Sequence, residues 1–97
     1  MNDSSIKLTI TRKKRFIGSI IPFTVIVDGI NIGLLKNNST ITYNLKKGKH
    51  NIIFRTVEKD VCEEIDIKDN VKKVEISTIA KMGLITATIK IESVKYI

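Results

Sequence analysis

Cys62 and His50 are the one thiol and the one imidazole in 97 residues, so any nucleophile and base pair must be built from them. Thiolate catalysis also needs a group to orient the imidazole and donors for an oxyanion. The spacing supplies neither. His50 follows Lys47-Gly48 at the end of the alternating Ile52 and Phe54 face, which reads as a strand-end histidine at the edge of a core. Cys62 lies in a strand-like stretch and reads as inert, since a reactive cysteine needs a lowered thiol pKa. The acids Asp60, Glu63, Glu64, Asp66 and Asp69 cluster in sequence, yet calcium loops place carboxylates at fixed alternate positions around a glycine bend. Here Glu64 and Asp66 fall on one strand face and Glu63 on the other, as in a solvated face that offsets nearby lysines. There is no zinc spacing and no glycine-rich phosphate loop before a helix. The expectation is a non-enzymatic chain with no cofactor and no metal.

The basic residues carry the sharper signal. Residues 1–55 hold ten Lys and Arg against two acids, a charge of +8, and residues 56–97 hold seven against eight, which leaves the net +7. Arg12, Lys13, Lys14 and Arg15 are consecutive, and Lys36, Lys46, Lys47 and Lys49 fall at predicted turns. These eight are the candidate anion- or partner-binding residues. All four of Arg12 to Arg15 are expected to be solvated, because a strand cannot point them one way. Counting turns puts Arg12 to Arg15 and Lys36 at one end of the molecule and Lys46 to Lys49 at the other. The apolar segment beside the run, with Phe16, Ile17, Ile20 and Ile21, resembles a peripheral membrane contact in which greasy side chains follow a polybasic stretch. Nucleic acid is the less expected anion, since single-strand binders stack bases on aromatic rings and only Phe16 and Phe23 lie near the run.

The elements that must position these groups are strands. Ile6, Leu8 and Ile10 alternate with polar residues, a half-buried strand. Residues 12–22 follow as a long connection, where Pro22 argues against a central ladder position; its apolar part is expected to cover one end of the fold. Asp28-Gly29 is a two-residue hairpin signal, which predicts Val27 opposite Ile30, Val25 opposite Ile32 and Phe23 opposite Leu34. With Asn37-Asn38 as the next turn, Leu34 faces Ile41, Ile32 faces Tyr43 and Ile30 faces Leu45, giving a three-strand meander with one apolar face. Lys47-Gly48 is either a tight turn, pairing Tyr43 with Ile52 and Ile41 with Phe54, or a corner to a second sheet. The corner is favoured, because the meander must bury its face against something. Val61 to Ile67 is a further strand, Asp69-Asn70 a turn, and Met82-Gly83 a hairpin turn that puts Ala80 opposite Ile85, Thr78 opposite Ala87, Ile76 opposite Ile89 and Val74 opposite Ile91. Val25, Ile32, Tyr43, Ile76 and Ile89 are the expected core.

Isoleucine is the commonest residue, Trp is absent and Pro occurs once, a composition suited to pleated sheet. The fold class expected is all-β: a single domain over 1–97, a two-sheet antiparallel β-sandwich of seven to nine strands, immunoglobulin-like or related. Met1 to Ser5 is polar, no apolar run approaches the roughly 20 residues of a spanning helix, and a lone cysteine suits a reducing compartment, so the expected address is cytoplasmic.

Val25-Ile26-Val27-Asp28-Gly29, then Gly33, Leu34 and Asn37, then Leu45 through Gly48 to His50 and Ile52, resemble a pattern of small bacterial β-sandwich modules. It runs V-x-I-D-G-x-x-x-G, L-x-N-G, L-x-x-G-x-H-x-I, and versions occur in PEGA-type domains. The likeness covers about a third of the chain, lacks the Pro-Glu-Gly-Ala tetrapeptide and has Asn38 where glycine is usual. It implies a non-catalytic accessory or surface-binding module and carries over no functional residue. The leading expectation is a protein-interaction module, with a sheet edge available to a partner strand. The alternative is binding to an anionic surface, acidic lipid or nucleic acid, through Arg12 to Arg15 and the turn lysines. Neither the partner nor the oligomeric state is legible.

Overall fold

The computed structural model describes residues 5–97; of the polar opening segment, Met1–Ser4 lie outside them. Among the described residues there are eight strands and no helix: β1 (Ile6–Arg12), β2 (Phe23–Val27), β3 (Ile30–Leu35), β4 (Ser39–Leu45), β5 (Gly48–Arg55), β6 (Asp60–Ile67), β7 (Lys73–Met82) and β8 (Ala87–Tyr96). They form two four-stranded sheets of order β4-β1-β7-β8 and β3-β2-β5-β6. The molecule is a β-sandwich measuring 46 × 23 × 18 Å. All pairings are antiparallel except β1 with β7, which is parallel.

The core follows the period-2 pattern of the strands. Ile6, Leu8 and Ile10 of β1, Val74 and Ile76 of β7 and Ile89 of β8 are buried against Phe23, Val25 and Val27 of β2, Ile52 and Phe54 of β5 and Ile65 and Ile67 of β6. Of the expected core, Val25, Ile76 and Ile89 are buried. Ile32 and Tyr43, on the edge strands β3 and β4, are only half-buried.

Three register expectations are corrected. The three-strand meander does not form: β3 ends one sheet and β4 ends the other, so the chain changes sheets at Lys36–Asn38 instead of folding back on itself. It crosses again between Leu45 and Gly48, where the corner reading holds. Asp28-Gly29 is a tight turn with φ of 50° and 82°, and Val27 does pair with Ile30, but a bulge between Val25 and Ile26 sets Val25 opposite Gly33 and Phe23 opposite Leu35. The inserted residue turns Leu35 into the core and leaves Leu34 half exposed. In the last hairpin the loop is Gly83–Thr86, closed by a Gly83 N–H bond to the Thr86 carbonyl of 2.8 Å. Ala80 therefore faces Ile89, Thr78 faces Ile91 and, past a bulge at Ser77/Thr78, Ile76 faces Val94. The shift is even in number as far as that bulge, so the buried face of β7 survives the error.

Four connections gather at the end where β1 finishes: residues 13–22, 36–38, 56–59 and 83–86. The Asp28-Gly29 turn, Lys46-Lys47 and the Asp69-Asn70 turn lie at the opposite end.

Candidate functional site

Arg12 organises the four-loop end, and it is not solvated. Position 12 continues the inward series Ile6, Leu8, Ile10, and its side chain is fully buried. The guanidinium carbon lies 4.5 Å from the centre of the Phe23 ring. Nη1 donates to the carbonyls of Ile21 (2.7 Å) and Leu35 (2.9 Å), and Nη2 to that of Gly18 (2.8 Å). Nε has no partner. Burial lowers the pKa of the group, but an arginine stays charged. Three carbonyls on two backbone segments, the 13–22 connection and the end of β3, are thereby pinned to one cation, which is why Arg12 leaves the set of surface anion-binding candidates.

The connection after Arg12 is fixed as well. Lys13 N–H donates to Thr78 O at 2.9 Å, Ser19 N–H to Phe16 O at 3.1 Å and Ile21 N–H to Gly18 O at 2.9 Å. Gly18 has φ +67°, and a Cβ there would stand 2.6 Å from the Cβ of Ala87; only glycine lets the connection lie on the β7–β8 hairpin. Arg15 N–H donates to Asn37 Oδ1 at 3.0 Å, joining the 36–38 crossing. On the other side, the Glu58 carboxylate accepts from the N–H groups of Leu84 (3.0 Å), Ile85 (2.8 Å) and Thr86 (3.0 Å). Those of Thr86 and Ile85 hold its pKa below the ordinary value. A side chain at Gly83 would collide with this carboxylate. The loops form two hydrogen-bonded pairs, 13–22 with 36–38 and 56–59 with 83–86, which pack together where Gly18 lies against Ala87, so that the end is one unit.

This unit presents side chains that a core would be expected to hold. Phe16 is 95 % exposed, Ile20 92 %, Val57 80 %, Leu84 99 % and Ile85 86 %. Among the described residues these five are the large apolar side chains more than three-quarters exposed, and all stand on three of the four loops. The expectation that the apolar connection covers the end of the core holds for Ile21, which packs on it, and fails for Phe16 and Ile20. Ile85, placed opposite Ala80 by the sequence reading, points to solvent for the same reason as the register shift.

The remaining candidate cations divide as the turn count predicts. Lys13, Lys14, Arg15 and Lys36 are exposed at the four-loop end, and Lys13 meets Glu92 at 2.8 Å. Lys46, Lys47 and Lys49 are exposed at the opposite end. Lys59 and Lys81, exposed beside Glu58 and the β7–β8 loop, add to the first group; no sequence signal singled them out, because the two loops are adjacent only in the folded chain.

Cys62 and His50 do not meet. Cys62 pairs with Ile53 and His50 with Ile65, three pairs apart or roughly 10 Å at 3.3 Å per residue, and they face opposite sides of the sheet. The thiol is exposed. His50 Nδ1 lies 2.6 Å from Asp28 Oδ2 and Nε2 2.6 Å from the Lys46 carbonyl; both ring nitrogens face acceptors, so the imidazolium is the form that satisfies both. Among the described residues no cluster of His, Cys, Asp or Glu has metal-site geometry, and no helix is long and apolar enough to cross a membrane. Comparison with family models, with curated proteins and with solved structures finds no match.

Proposed function

We propose that this chain is a non-enzymatic binding module whose working surface is the four-loop end. The observation that carries the reading is the near-complete exposure of Phe16, Ile20, Val57, Leu84 and Ile85 on loops locked to one another through Arg12, Gly18 and Glu58. Ordered, exposed apolar side chains gathered at one place mark an interaction site on a folded domain. The separation of Cys62 from His50, and the two hydrogen bonds that occupy His50, favour binding over catalysis. Among the described residues the opposite end carries its own cations but no comparably exposed apolar side chain.

The test is photo-cross-linking in the native host, with a photoreactive residue in place of Leu84, Phe16 or, at the opposite end, Lys47. Adducts should concentrate on the Leu84 and Phe16 variants. Equal yield from all three, or adducts at Lys47 alone, would overturn the assignment of the working surface.

A further inference from the structure

Resting on that reading, the geometry points to an anionic lipid bilayer as what the four-loop end docks onto: we infer that Phe16 and Ile20 on one loop and Leu84 and Ile85 on another enter the bilayer interface while Lys14, Arg15, Lys36, Lys59 and Lys81 meet its headgroups. The shape of the surface decides against a protein partner. A stable protein interface buries about 800 Å² on each side with close complementarity, which requires a contiguous patch. Here the apolar side chains stand nearly fully exposed as two projecting pairs, Phe16 with Ile20 and Leu84 with Ile85, on different loops, and a fluid bilayer can wrap each pair without a matching surface. The charges fit the same partner. Among the described residues Lys14, Arg15, Lys36, Lys59 and Lys81 make no ion pair within 4.0 Å, whereas the acids at this end are engaged: Glu58 with three N–H groups, Glu92 with Lys13 and Asp60 with Arg55. Between the 13–22 connection and the 36–38 crossing, Ser19, Ile20, Ile21, Pro22, Lys36 and Asn37 line an open niche of about 130 Å³.

Nucleic acid would use the cations but gives the aliphatic tips nothing to do. A bilayer uses both: each inserted large apolar side chain contributes roughly tenfold or more to partitioning, and each lysine near an anionic leaflet roughly fivefold.

The experiment is vesicle co-sedimentation of the full chain with phosphatidylcholine alone and with 30 per cent phosphatidylserine added, at about 50 and 300 mM salt. The variants are Phe16→Ser/Leu84→Ser, Lys14→Ser/Arg15→Ser and, at the opposite end, Lys46→Ser/Lys47→Ser. These side chains are exposed, and circular dichroism verifies each fold. The wild type should bind the anionic vesicles at least tenfold better than the neutral ones. The apolar pair should lose more than tenfold even at low salt, the Lys14/Arg15 pair about tenfold at low salt and less at high salt, and the opposite-end pair less than twofold. No preference for anionic vesicles, or an apolar pair that binds like wild type, would overturn the inference, as would an equal loss from the Lys46/Lys47 pair. Two other results would overturn it and leave the working surface standing: Leu84 cross-links made only to protein, or a dimer of the chain abolished by Leu84→Ser. Absence of any cross-link at this end would remove both readings.

Discussion

The Asp28 carboxylate and the His50 imidazole are 2.6 Å apart, and through them the tight turn between β2 and β3 is fastened to the start of β5. Asp28 Oδ1 also accepts from Asn51 N–H at 2.9 Å, and the Asp28 N–H donates to the Asn51 carbonyl at 2.9 Å.

Burial disfavours the His50 cation, but the hydrogen bonds to Asp28 and to the Lys46 carbonyl, with the Asp28 charge, outweigh it and raise the pKa. For Asp28 burial is likewise overcome, by His50 and by the Asn51 N–H, and the pKa falls. A raised histidine pKa stabilises fully below the unfolded value near 6.5 and is lost as pH climbs through the folded value. A lowered aspartate pKa stabilises above about 4 and is lost as pH falls through the folded value. Stability should therefore peak between about pH 4 and 6.5. His50→Gln should lower it by about 1 kcal/mol there, given the exposure of Asp28, and flatten the decline towards pH 9. Urea melts at pH 5, 7 and 9 measure this; an unchanged slope in the variant would refute the assignment.

Arg12→Met keeps most of the side-chain volume but leaves the carbonyls of Gly18, Ile21 and Leu35 without their donor. The expected loss is about 3 kcal/mol. Lys13, Lys14 and Arg15 replaced together by serine should change stability by less than about 1 kcal/mol. Denaturant midpoints compare the two directly, and equal effects would show that Arg12 is not the anchor.

Gly18→Ala combines a left-handed φ with a collision against Ala87. It should destabilise by about 2 kcal/mol or more. Adding Ala87→Gly should recover the steric part and leave the backbone part, so the double-mutant cycle should show positive coupling in thermal melts.

Glu58→Ala removes the acceptor for three loop N–H groups without touching the core. Amide exchange at Leu84, Ile85 and Thr86 should accelerate at least tenfold while Ile76 and Ile89 keep their protection. Uniform acceleration across the chain would instead mean that Glu58 supports the whole sandwich.

Alternation made β1, β2, β5 and the buried face of β7 legible from the sequence, because a half-buried strand leaves a period-2 trace wherever it pairs. Which sheet a strand joins leaves no such trace. Asn38 does adopt positive φ, 57°, as the hairpin reading required, yet a hairpin and a corner use the same local conformation. The Leu34/Leu35 inversion had one local sign, Gly33, whose φ of 134° suits only glycine. Arg12 was readable as an inward position from Ile6, Leu8 and Ile10, but its three like-charged neighbours masked the phase. The Met82-Gly83 turn signal draws Ile85 into a register; only the Glu58 contact from a distant turn explains the wider loop. The four-loop end, assembled from segments spread over residues 13–86, has no contiguous signature.

The parallel pairing of β1 with β7 places Leu8 beside Val74 and Ile10 beside Ile76, and β1 is interior to its sheet. Of the eight strands β1 is made first, and its second neighbour, β7, is the seventh. Contacts so remote in sequence slow folding into the millisecond-to-second range, and vectorial synthesis adds the time needed to make residues 73–82. Until then one side of β1 is an unsatisfied ladder beside the bare guanidinium of Arg12, which has neither Thr78 nor the hairpin to close over it. The buried arginine thus also marks the order of assembly: of the eight strands, β1 is the first made and among the last completed.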